Sequence, residues 1–473
     1  MAQYFFDLLY NFTDCLCCFP SSPQLKINNR SFKLLRLLGE VSGGRARTSR
    51  GILAEIECLQ GGFSFVYLVQ DKSTSELFAL KKIRCPFGQE SVSQALKEVE
   101  AYRLFASKLN IIHSIDHCVT TESGSKFRSD GGDAGSKTVY ILLPYYQRGN
   151  LQDAINANLV NHTRFPEHKL MVLMLGVAKA LKSMHQYRVA GGTTLATRAI
   201  RREGVEDGAP PTMERSKRRA SHRMGDDEPE NEPLMNDEVT QSQEGIQDGG
   251  LRPYAHRDVK PGASSSPMKR IWYFKSNAPV LRIGNIMIAD DGRSPILMDL
   301  GSLAPSPIAI TSRSLALAVQ DAAAEHSTMP YRAPELFDVK TGSIVDSKAD
   351  IWSLGCTLYA CLVGKSPFEA RSEETGGSLS MCVLGGDWCF PDEKAGPGKG
   401  KGKPSSSSSS TDQQRNGQDA AGSISPPVKD IVRKCLQIEP AERPDIDELI
   451  HLIEDAINYE ESGYEEGDAG SSA

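Results

Sequence analysis

Two carboxylates in the second half of the chain have the side-chain type and spacing that phosphoryl transfer needs. Asp258 lies in the run 256–261 (HRDVKP) and can accept the proton of an attacking hydroxyl group. Asp299 ends an apolar strand (PILMDLG) and is suited to hold the Mg²⁺ that bridges ATP phosphates, while Gly301 lets the backbone turn away from the metal. The run 333–335 (APE) follows downstream. Each motif is weak alone, but their order predicts phosphoryl transfer from ATP.

A lysine at the end of an earlier apolar strand supplies a matching cation. Lys81 closes the run 78–81 (FALK), and its ammonium can reach the α- and β-phosphates if a carboxylate on a helix orients it. Glu98, in the next helical stretch (ALKEVEAYRLF), is the expected partner, and Glu100 is a competing candidate. The alternative is that these residues are solvated surface charges. The downstream motifs favour the pairing of Lys81 with Glu98.

The elements that must position these residues differ between the two halves of the chain. Apolar and polar residues alternate across 63–83 around a polar turn at 71–75, which predicts a small antiparallel sheet. Residues 93–105 have helical spacing, and helical patterns dominate after Pro144, notably at 169–185 and 350–363. The sequence therefore predicts an α+β fold of two lobes with a cleft between them.

The predicted catalytic domain covers residues 31–455, with a sheet lobe at about 31–143 and a helical lobe at about 147–455. It is preceded by an apolar segment, 1–30, and followed by an acidic tail, 456–473. The segments that interrupt it are 41–60, 186–252, 263–284 and 393–427. The second insert joins a basic cluster to an acidic run and the fourth contains a run of serines, so both are expected to lack a packed core.

Composition excludes several classes of function. Hydrophobic residues make up 39% of the chain and the net charge is -6, which indicates a globular protein without an overall basic field for nucleic acid. A basic cluster at 215–223 leaves nucleic-acid binding as a minor alternative, but acidic residues follow it at once. No apolar run reaches the roughly 18 residues of a membrane span. The 11 cysteines are mostly scattered, which is typical of reduced thiols in a cytosolic compartment.

Residues 4–20 form an aromatic, apolar segment with three cysteines near its end. It lacks the basic start and the small-residue cleavage site of a signal peptide. Reversible palmitoylation of Cys15, Cys17 and Cys18 would make the segment a membrane anchor. The alternative is a buried or frayed apolar terminus.

These motifs resemble eukaryotic protein kinases over roughly residues 32–454, with the inserts excluded. More narrowly, the blocks GGFSFVYLV, PILMDLGS and DIWSLGCTLYA, and the long segment 302–329 with its helical stretch AVQDAAAEH, resemble the serine/threonine kinase sixteen group of the Numb-associated kinases in its fungal form. Members of that group are lipid-anchored at Golgi, vacuolar or endosomal membranes. The resemblance therefore implies a kinase on the cytoplasmic face of vacuole or Golgi membranes, or otherwise in the cytoplasm, with a role in membrane trafficking or in regulating those organelles.

The resemblance also implies a role for each matching position. Asp258 would be the catalytic base, Lys260 would contact the γ-phosphate and favour Ser or Thr acceptors in protein substrates, and the cofactors would be ATP and Mg²⁺. Nucleotide contacts would come from Gly39, Gly61, Gly62, Ser64, Val66, Ala79, Lys81, Glu98, Pro144 and Tyr145, with a hinge at 142–146, and metal contacts from Asn285 and Asp299.

Further roles implied by the resemblance concern the activation segment and the helical lobe. Arg257 would bind a phosphate on Thr328 or Ser327. The alternative is that Thr328 and Ser327 are ordinary solvated hydroxyl residues. Glu335 would pair with Arg443, and Asp350 would brace the catalytic loop.

The chain departs from the family pattern at two motifs. The glycine-rich loop is split, because Gly39-Glu40 and the run 61–64 (GGFS) are separated by the segment 41–60. The catalytic loop should carry an asparagine five positions after its aspartate, yet position 263 is Ala and the expected GNIMI appears only at 284–288. The competing reading is therefore a pseudokinase, a scaffold that binds nucleotide without transferring phosphate.

Both short inserts fit the hypothesis of retained introns. Val41 and Gln60 are compatible with intron ends, a glycine codon split between 262 and 284 is compatible with the second insert, and excision restores both motifs in frame. A mature transcript that contains both segments would contradict this hypothesis. The insert 186–252 lies in a peripheral connection and is expected to be authentic.

Overall fold

The computed structural model describes residues 24–41, 64–86, 88–121, 137–188, 250–262, 284–393 and 424–468. Residues 1–187 and 253–473 form one compact unit, and 188–252 form a second. In the second unit, Arg188 and Leu251 pair across an isolated antiparallel bridge. The predicted site residues that the structure describes all lie in the first unit.

The first unit begins with a sheet and continues mainly as helices. Its strands are β1 (Gln24–Ile27), β2 (Arg30–Val41), β3 (Ser64–Asp71), β4 (Leu77–Cys85), β5 (Asp116–Thr121), β6 (Lys137–Pro144), β7 (Tyr254–Ala255), β8 (Ile286–Ile288), β9 (Pro295–Leu297), β10 (Ala304–Pro305), β11 (Ile308–Ala309) and β12 (Ile344–Val345). Its helices are α1 (Gly88–Leu104), α2 (Leu151–Asn161), α3 (Glu167–His185), α4 (Arg313–His326), α5 (Lys348–Val363), α6 (Pro367–Thr375), α7 (Leu379–Gly385), α8 (Pro426–Cys435) and α9 (Ile446–Asp468). Short 3₁₀ turns lie at Leu300–Ser302, Met329–Tyr331 and Pro334–Leu336.

Strands β1 to β6 form an antiparallel sheet in the order β1-β2-β3-β4-β6-β5. Side-chain alternation separates its two faces. Phe78 and Leu80 belong to an outer apolar cluster, whereas Val66 and Ala79 belong to the main core. Because successive residues of a strand point to opposite faces, Lys81 shares the face of Ala79. The strand pattern therefore directs Lys81 inward.

Helix α1 packs against this sheet with a face that is mostly apolar but includes one charged residue. Its buried residues recur at helical spacing and include Val92, Ala95, Val99 and Tyr102, together with the charged Glu98. The helix starts earlier than the predicted stretch 93–105, at Gly88. A carboxylate at the centre of an apolar face must find a polar partner inside the protein.

Helix α5 forms the centre of the helical lobe. Every residue from Ala349 to Cys361 is buried, as expected for a helix that is enclosed on all sides. The Trp352 ring stacks on Phe368 with centroids 5.3 Å apart, and the Arg443 guanidinium lies 5.0 Å from the Trp352 ring centroid. The predicted helices at 169–185 and 350–363, and the helical AVQDAAAEH stretch in α4, are confirmed. The α+β fold of a sheet followed by helices is also confirmed.

Three predicted boundaries were wrong by a few residues. The insert 186–252 begins too early, because Gln186 donates to Asp447 and Tyr187 packs on Phe105. The insert 393–427 ends too late, because α8 begins at Pro426. The acidic tail does not start at 456, since the apolar spacing of α9 continues through a buried Ala456 and the helix runs to Asp468.

Other predictions lie outside the described residues. These are the anchor segment with Cys15, Cys17 and Cys18, most of each insert, and Gly61 and Gly62. Within the described ranges, none of the helices is long and apolar enough to cross a membrane.

The close contact between α5 and α8 predicts that one added methyl group lowers the stability of the protein. A Cβ atom at Gly355 would lie 2.5 Å from the Cβ of Cys435. We expect Gly355→Ala to lower the free energy of unfolding by about 1 to 3 kcal/mol, because two packed helices must separate. Chemical denaturation measures this change.

Gly385→Ala, at the end of α7, is the matched control. A Cβ atom there meets nothing within 4 Å, so we expect no loss and a gain of at most about 1 kcal/mol from helix propensity. Equal shifts in both variants would contradict the packing argument.

Candidate active site

One row of the sheet carries several of the predicted nucleotide contacts. Gly39 pairs with Val66, Val66 pairs with Lys81, and Lys81 pairs with Ile141. At the hinge end of the sheet, Ala79 lies opposite Leu143 in the neighbouring strand β6. The register therefore aligns residues from β2, β3, β4 and β6 without any contribution from the inserts.

The split glycine-rich loop keeps its flanking strands in register. Val41 still pairs with Ser64 at the open end of the β2–β3 hairpin. Ser64 is buried. Residues 42–63 lie outside the described chain, so the structure places Gly39 and Ser64 but not Gly61 or Gly62. The segment leaves and returns at the hairpin tip, where the uninterrupted motif would turn.

Lys81 links two carboxylates. Its Nζ lies 2.7 Å from Glu98 Oε1 and 3.0 Å from Asp299 Oδ1. Lys81 and Glu98 are each only 7% exposed, whereas Glu100 is exposed. The predicted pairing of Lys81 with Glu98 is therefore confirmed, and both the Glu100 pairing and the reading as solvated charges are wrong.

The surroundings of Lys81 and Asp299 shift the pKa of each group in the direction that favours its charged form. Burial by itself would lower the pKa of Lys81, but the charges of Asp299 and Glu98 outweigh it and raise that pKa above its ordinary value. Burial likewise disfavours the charged form of Asp299, yet Lys81 and Lys260 lower its pKa to about 2. Asp299 is thus an anionic oxygen ligand, the type that Mg²⁺ prefers.

Asp258 is held by residues from three separate parts of the chain. Its Oδ1 accepts a hydrogen bond from the Thr328 backbone N–H at 2.9 Å. Its Oδ2 accepts from Asn285 Nδ2 at 2.9 Å and from Lys260 Nζ at 2.5 Å. Only 6% of the residue is exposed, and these three hydrogen bonds fix the position of the carboxylate.

Asn285 reaches Asp258 although 27 positions separate them. Its Nδ2 also donates to the Asp258 backbone oxygen at 2.7 Å, and its own backbone oxygen accepts from Met298 N–H at 2.7 Å. The latter bond ties Asn285 to the residue just before Asp299. The displaced asparagine therefore lies between Asp258 and the strand that carries Asp299.

The two ends of the insert in the catalytic loop meet at one place. A Cβ atom at Gly262 would lie 3.1 Å from Asn150 Oδ1, and one at Gly284 would lie 2.6 Å from both Asn150 Cβ and the Pro261 oxygen. The chain thus leaves the loop and returns to it against the same asparagine. Closing an extra loop adds only about 1 to 3 kcal/mol, since its entropy grows with the logarithm of length.

Asp350 braces the catalytic loop through its backbone, as predicted. Its Oδ1 accepts from Arg257 N–H at 2.7 Å, and its Oδ2 accepts from His256 N–H at 2.8 Å. His185 Nε2 lies 2.9 Å from Oδ2 and is a partner that the sequence did not indicate. Arg257 has a φ of 68°, a left-handed conformation that costs energy in a non-glycine residue, so these bonds hold a strained turn in place.

Both candidate hydroxyls of the activation segment have hydrogen-bond partners in the structure. Among the described residues, neither hydroxyl is bonded to Arg257, whose Nε and Nη2 atoms have no hydrogen-bond partner there. Binding of a phosphate by Arg257 stays a prediction. Thr328 Oγ1 instead accepts from Lys260 Nζ at 2.5 Å, and Ser327 Oγ accepts from Arg332 Nε at 2.7 Å. The fold puts Thr328 inside the catalytic cluster because the 3₁₀ turn that follows it packs on α5, where Ser353 Oγ donates to the Tyr331 oxygen.

A bidentate ion pair stabilises the helical lobe below the site. Arg443 donates from Nη1 and Nη2 to the two Glu335 oxygens, both at 2.8 Å. Arg443 is 2% exposed. The predicted pairing is confirmed. Such a pair fixes the APE segment because removing either partner would leave a buried charge unpaired.

The residue set suits Mg²⁺ and a nucleotide. Asp299 offers carboxylate oxygens and Asn285 an amide oxygen, and Mg²⁺ is commonly held by one or two such groups together with substrate phosphates. In the part of the chain that the structure describes, no group of three or more His, Cys, Asp or Glu side chains could hold a metal by itself. Pro144 ends β6, and Tyr145 follows it, half-buried, at the predicted hinge.

Sequence reasoning missed several residues of this site. Tyr102 donates its hydroxyl to Glu98 Oε1 at 2.5 Å, and its spacing of four from Glu98 on a helix was a usable signal. Arg332 and the direct contact of Thr328 with Lys260 depend on how the activation segment folds back, and no local pattern predicts them.

The fold and the site together define a class of protein. The profile of the protein kinase domain matches residues 58–190 and 281–452, more than half of the chain. The chain therefore belongs to the protein kinase family. The profile passes over 191–280, which contains most of both the 186–252 and the 263–284 inserts.

Individual relatives narrow the class. The chain is 31% identical over 451 residues to Serine/threonine-protein kinase ENV7 of Saccharomyces cerevisiae, covering 93% of this chain and 96% of that protein. It is 31% identical to Serine/threonine-protein kinase ppk13 of Schizosaccharomyces pombe, covering 91% and 92%, and 26% identical to human Serine/threonine-protein kinase 16, covering 78% and 80%. The chain is a serine/threonine kinase similar to kinase 16, which confirms the resemblance.

The brace at Asp350 yields a prediction for turnover. Asp350→Asn leaves one side-chain oxygen for two backbone donors that hold Asp258 in place. We expect kcat to fall by about 10- to 100-fold, the effect of an approximately 1 Å shift of a reacting group. The KM for ATP should change little, because Lys81 lies on the sheet. Steady-state kinetics checks both parameters.

Asp430→Asn is the control for this substitution. Asp430 is exposed on α8 and pairs only at the surface with Lys434. An equal fall of kcat in both variants would refute the bracing role of Asp350.

Proposed function

We propose that this serine/threonine kinase is catalytically active and transfers the γ-phosphoryl group of Mg²⁺-ATP to Ser or Thr hydroxyls of protein substrates. The observation that carries the proposal is the position of Asn285, whose Nδ2 lies 2.7 Å from the Asp258 backbone oxygen and 2.9 Å from its Oδ2. An insert that destroyed the site would have separated these two residues.

The proposal assigns a role to each candidate site residue that the structure describes. Asp258 accepts the proton of the acceptor hydroxyl as the hydroxyl oxygen attacks the γ-phosphorus, the bond from that phosphorus to the β–γ bridging oxygen breaks, and ADP leaves. Lys260, already beside Asp258 and Thr328, neutralises charge on the transferred group. Lys81, oriented by Glu98, holds the phosphates. Glycine backbone near Gly39 and the buried Ser64 would cover them, and Ala79, Val66, Pro144 and Tyr145 would enclose adenine.

Asp299 and Asn285 would hold Mg²⁺, which when bound neutralises charge on the phosphates and orients them. Asp299 has the required anionic form, because Lys81 and Lys260 keep its pKa near 2 despite burial. Lys81 is the counter-ion of Asp299, with its Nζ 3.0 Å from Oδ1. This ion pair helps to orient the aspartate.

The competing scaffold reading predicts nucleotide binding without transfer. The substitution Asp258→Asn distinguishes the active kinase from the scaffold. We expect the unsubstituted chain to transfer labelled phosphate to a generic protein substrate, with label on serine and threonine only. The substitution should lower the rate by about 100- to 10,000-fold, the usual contribution of a general base.

Asp455→Asn, an exposed residue on α9, serves as the control and should retain full activity. A chain that binds Mg²⁺-ATP in calorimetry but transfers no label would rule out the enzyme in favour of the scaffold.

We further propose that acylation of Cys15, Cys17 and Cys18 anchors the chain to the cytoplasmic face of vacuole or Golgi membranes, where it would act in trafficking or in regulating these organelles. The support is the apolar, aromatic segment that contains the three cysteines. One acyl chain gives only marginal membrane binding, whereas two give stable anchoring. Neighbouring cysteines allow two or more chains on one short segment.

Substituting all three cysteines by serine tests the anchor. We expect the variant to move from the membrane fraction to the soluble fraction while its kinase activity in vitro stays unchanged. Each single substitution should have a small effect, because two acylation sites remain. The control is Cys118→Ser with Cys389→Ser, two partly buried thiols of the folded domain. Membrane association of the triple variant equal to that of the unsubstituted chain would overturn the proposal.

A further inference from the structure

The short segment 149–152, which leads from the predicted hinge into helix α2, contacts the catalytic loop on both sides of its insert. Before the insert, the Pro261 oxygen accepts a hydrogen bond from the Gln152 N–H at 3.2 Å. After the insert, the Ile288 N–H donates to the Gly149 oxygen at 3.0 Å. The two ends of the interrupted loop are therefore bonded to the same four residues.

Asn150 is the fixed point of this segment. It is completely buried and caps α2, with its Oδ1 accepting from the Asp153 N–H at 2.8 Å and its own N–H donating to Asp153 Oδ2 at 3.2 Å. Such a reciprocal cap holds the side chain in one orientation. The Asn150 backbone also pairs with Met287, two positions after Asn285, across an isolated antiparallel bridge.

Both glycines that flank the insert lie against the Asn150 side chain. A Cβ atom at Gly262 would lie 3.1 Å from Asn150 Oδ1, and one at Gly284 would lie 2.6 Å from both Asn150 Cβ and the Pro261 oxygen. Atoms at 2.6 Å would overlap, so the chain ends approach this closely only because Gly284 has no side chain. The returning chain is thereby packed between Asn150 and Pro261.

This packing sets the point from which Asn285 starts. Asn285 directly follows Gly284, and its Nδ2 donates to the Asp258 backbone oxygen at 2.7 Å. Because 27 positions separate the two residues, covalent continuity does not keep them together, and noncovalent contacts must do so.

We propose that Asn150 is a positioning residue that holds the two ends of the interrupted catalytic loop together, so that Asn285 meets Asp258 as it would in a continuous loop. Its side chain acts through Gly262 and Gly284. The inference rests on the proposed catalytic function for its kinetic part only. The competing explanation is that Asn150 does no more than cap α2.

The test compares Asn150→Ala with Ser366→Ala in the full-length chain. Ser366 is an equally buried cap, at the start of α6, whose Oγ accepts from the Glu369 N–H at 3.2 Å. Both variants lose one helix cap, so their thermal stabilities should fall by similar amounts. Gly284→Ala is a second variant that disturbs the same contact without removing a cap. Retained cooperative unfolding shows that each variant is folded.

The first measurement is hydrogen–deuterium exchange without nucleotide or metal. In Asn150→Ala the Asp153 amide loses its acceptor and exchanges faster under either explanation. The proposal adds that the amides of Ile288 and Met298, on the far side of the insert, accelerate by about tenfold. The Met298 N–H reports on the site because it donates to the Asn285 oxygen at 2.7 Å.

Gly284→Ala should accelerate the Ile288 and Met298 amides in the same way, and Ser366→Ala should leave both at the unsubstituted rate. Unaltered exchange of these two amides in Asn150→Ala would overturn the proposal. Exchange gives a result even for a chain that transfers no phosphate, so failure of the proposed function and failure of this inference are distinguishable.

The second measurement repeats the substitution in a chain from which residues 263–284 are excised. Excision joins Gly262 to Asn285 and returns the asparagine to the fifth position after Asp258. Covalent continuity then does what Asn150 does in the full-length chain. We expect Asn150→Ala to leave the Met298 amide of the excised chain unchanged, and an equal acceleration in both chains would contradict the proposal.

The kinetic readout is the Mg²⁺ concentration that gives half-maximal activity at saturating ATP, since Asn285 would hold the metal. We expect Asn150→Ala to raise it by about tenfold in the full-length chain, as when a group that orients a metal ligand is removed. The rise should be less than about twofold in the excised chain and in Ser366→Ala. Equal rises in the full-length and excised chains would indicate a loosened α2 and overturn the inference.

Discussion

The buried position of Lys81 is the constraint on which the site depends. An ammonium group that is 7% exposed is stable only beside compensating charge, and it has Glu98 and Asp299 at 2.7 and 3.0 Å. Lys81 lies on β4, Glu98 lies on α1, and Asp299 lies in the turn after β9. These elements belong to different parts of the chain. The two ion pairs of Lys81 therefore hold the sheet, the helix and the turn that would bind the metal in a single arrangement.

A second cluster organises the catalytic loop in the same way. Asp258 accepts from Asn285, Lys260 and the backbone of Thr328. Asp350 fixes the backbone of the preceding two residues. Because these bonds act on residues before and after the insert, the loop keeps its geometry although a long segment leaves it at Gly262 and returns at Gly284. The entropy of a long loop is a small term beside several buried, charge-assisted bonds.

The activation segment is coupled directly to this second cluster. Thr328 contacts both Asp258 and Lys260, and the neighbouring Ser327 contacts Arg332. The segment therefore contributes to the acceptor side of the site through its backbone and a hydroxyl. Thr328 is thus in direct contact with the catalytic cluster, whereas Ser327, at the end of α4, contacts Arg332.

The sequence by itself was enough to predict the class of fold and to single out Lys81, Glu98, Asp258 and Asp299 as candidate site residues. It was also enough to predict the ion pairs Glu335–Arg443 and Lys81–Glu98. Strand alternation and helical spacing are local, and ordered short motifs restrict which residues can meet. Only the tertiary structure decided that Asn285 returns to Asp258 and that Thr328 contacts Lys260. These contacts join distant segments, and which segments meet depends on packing of the whole domain, for which no local spacing provides a signal.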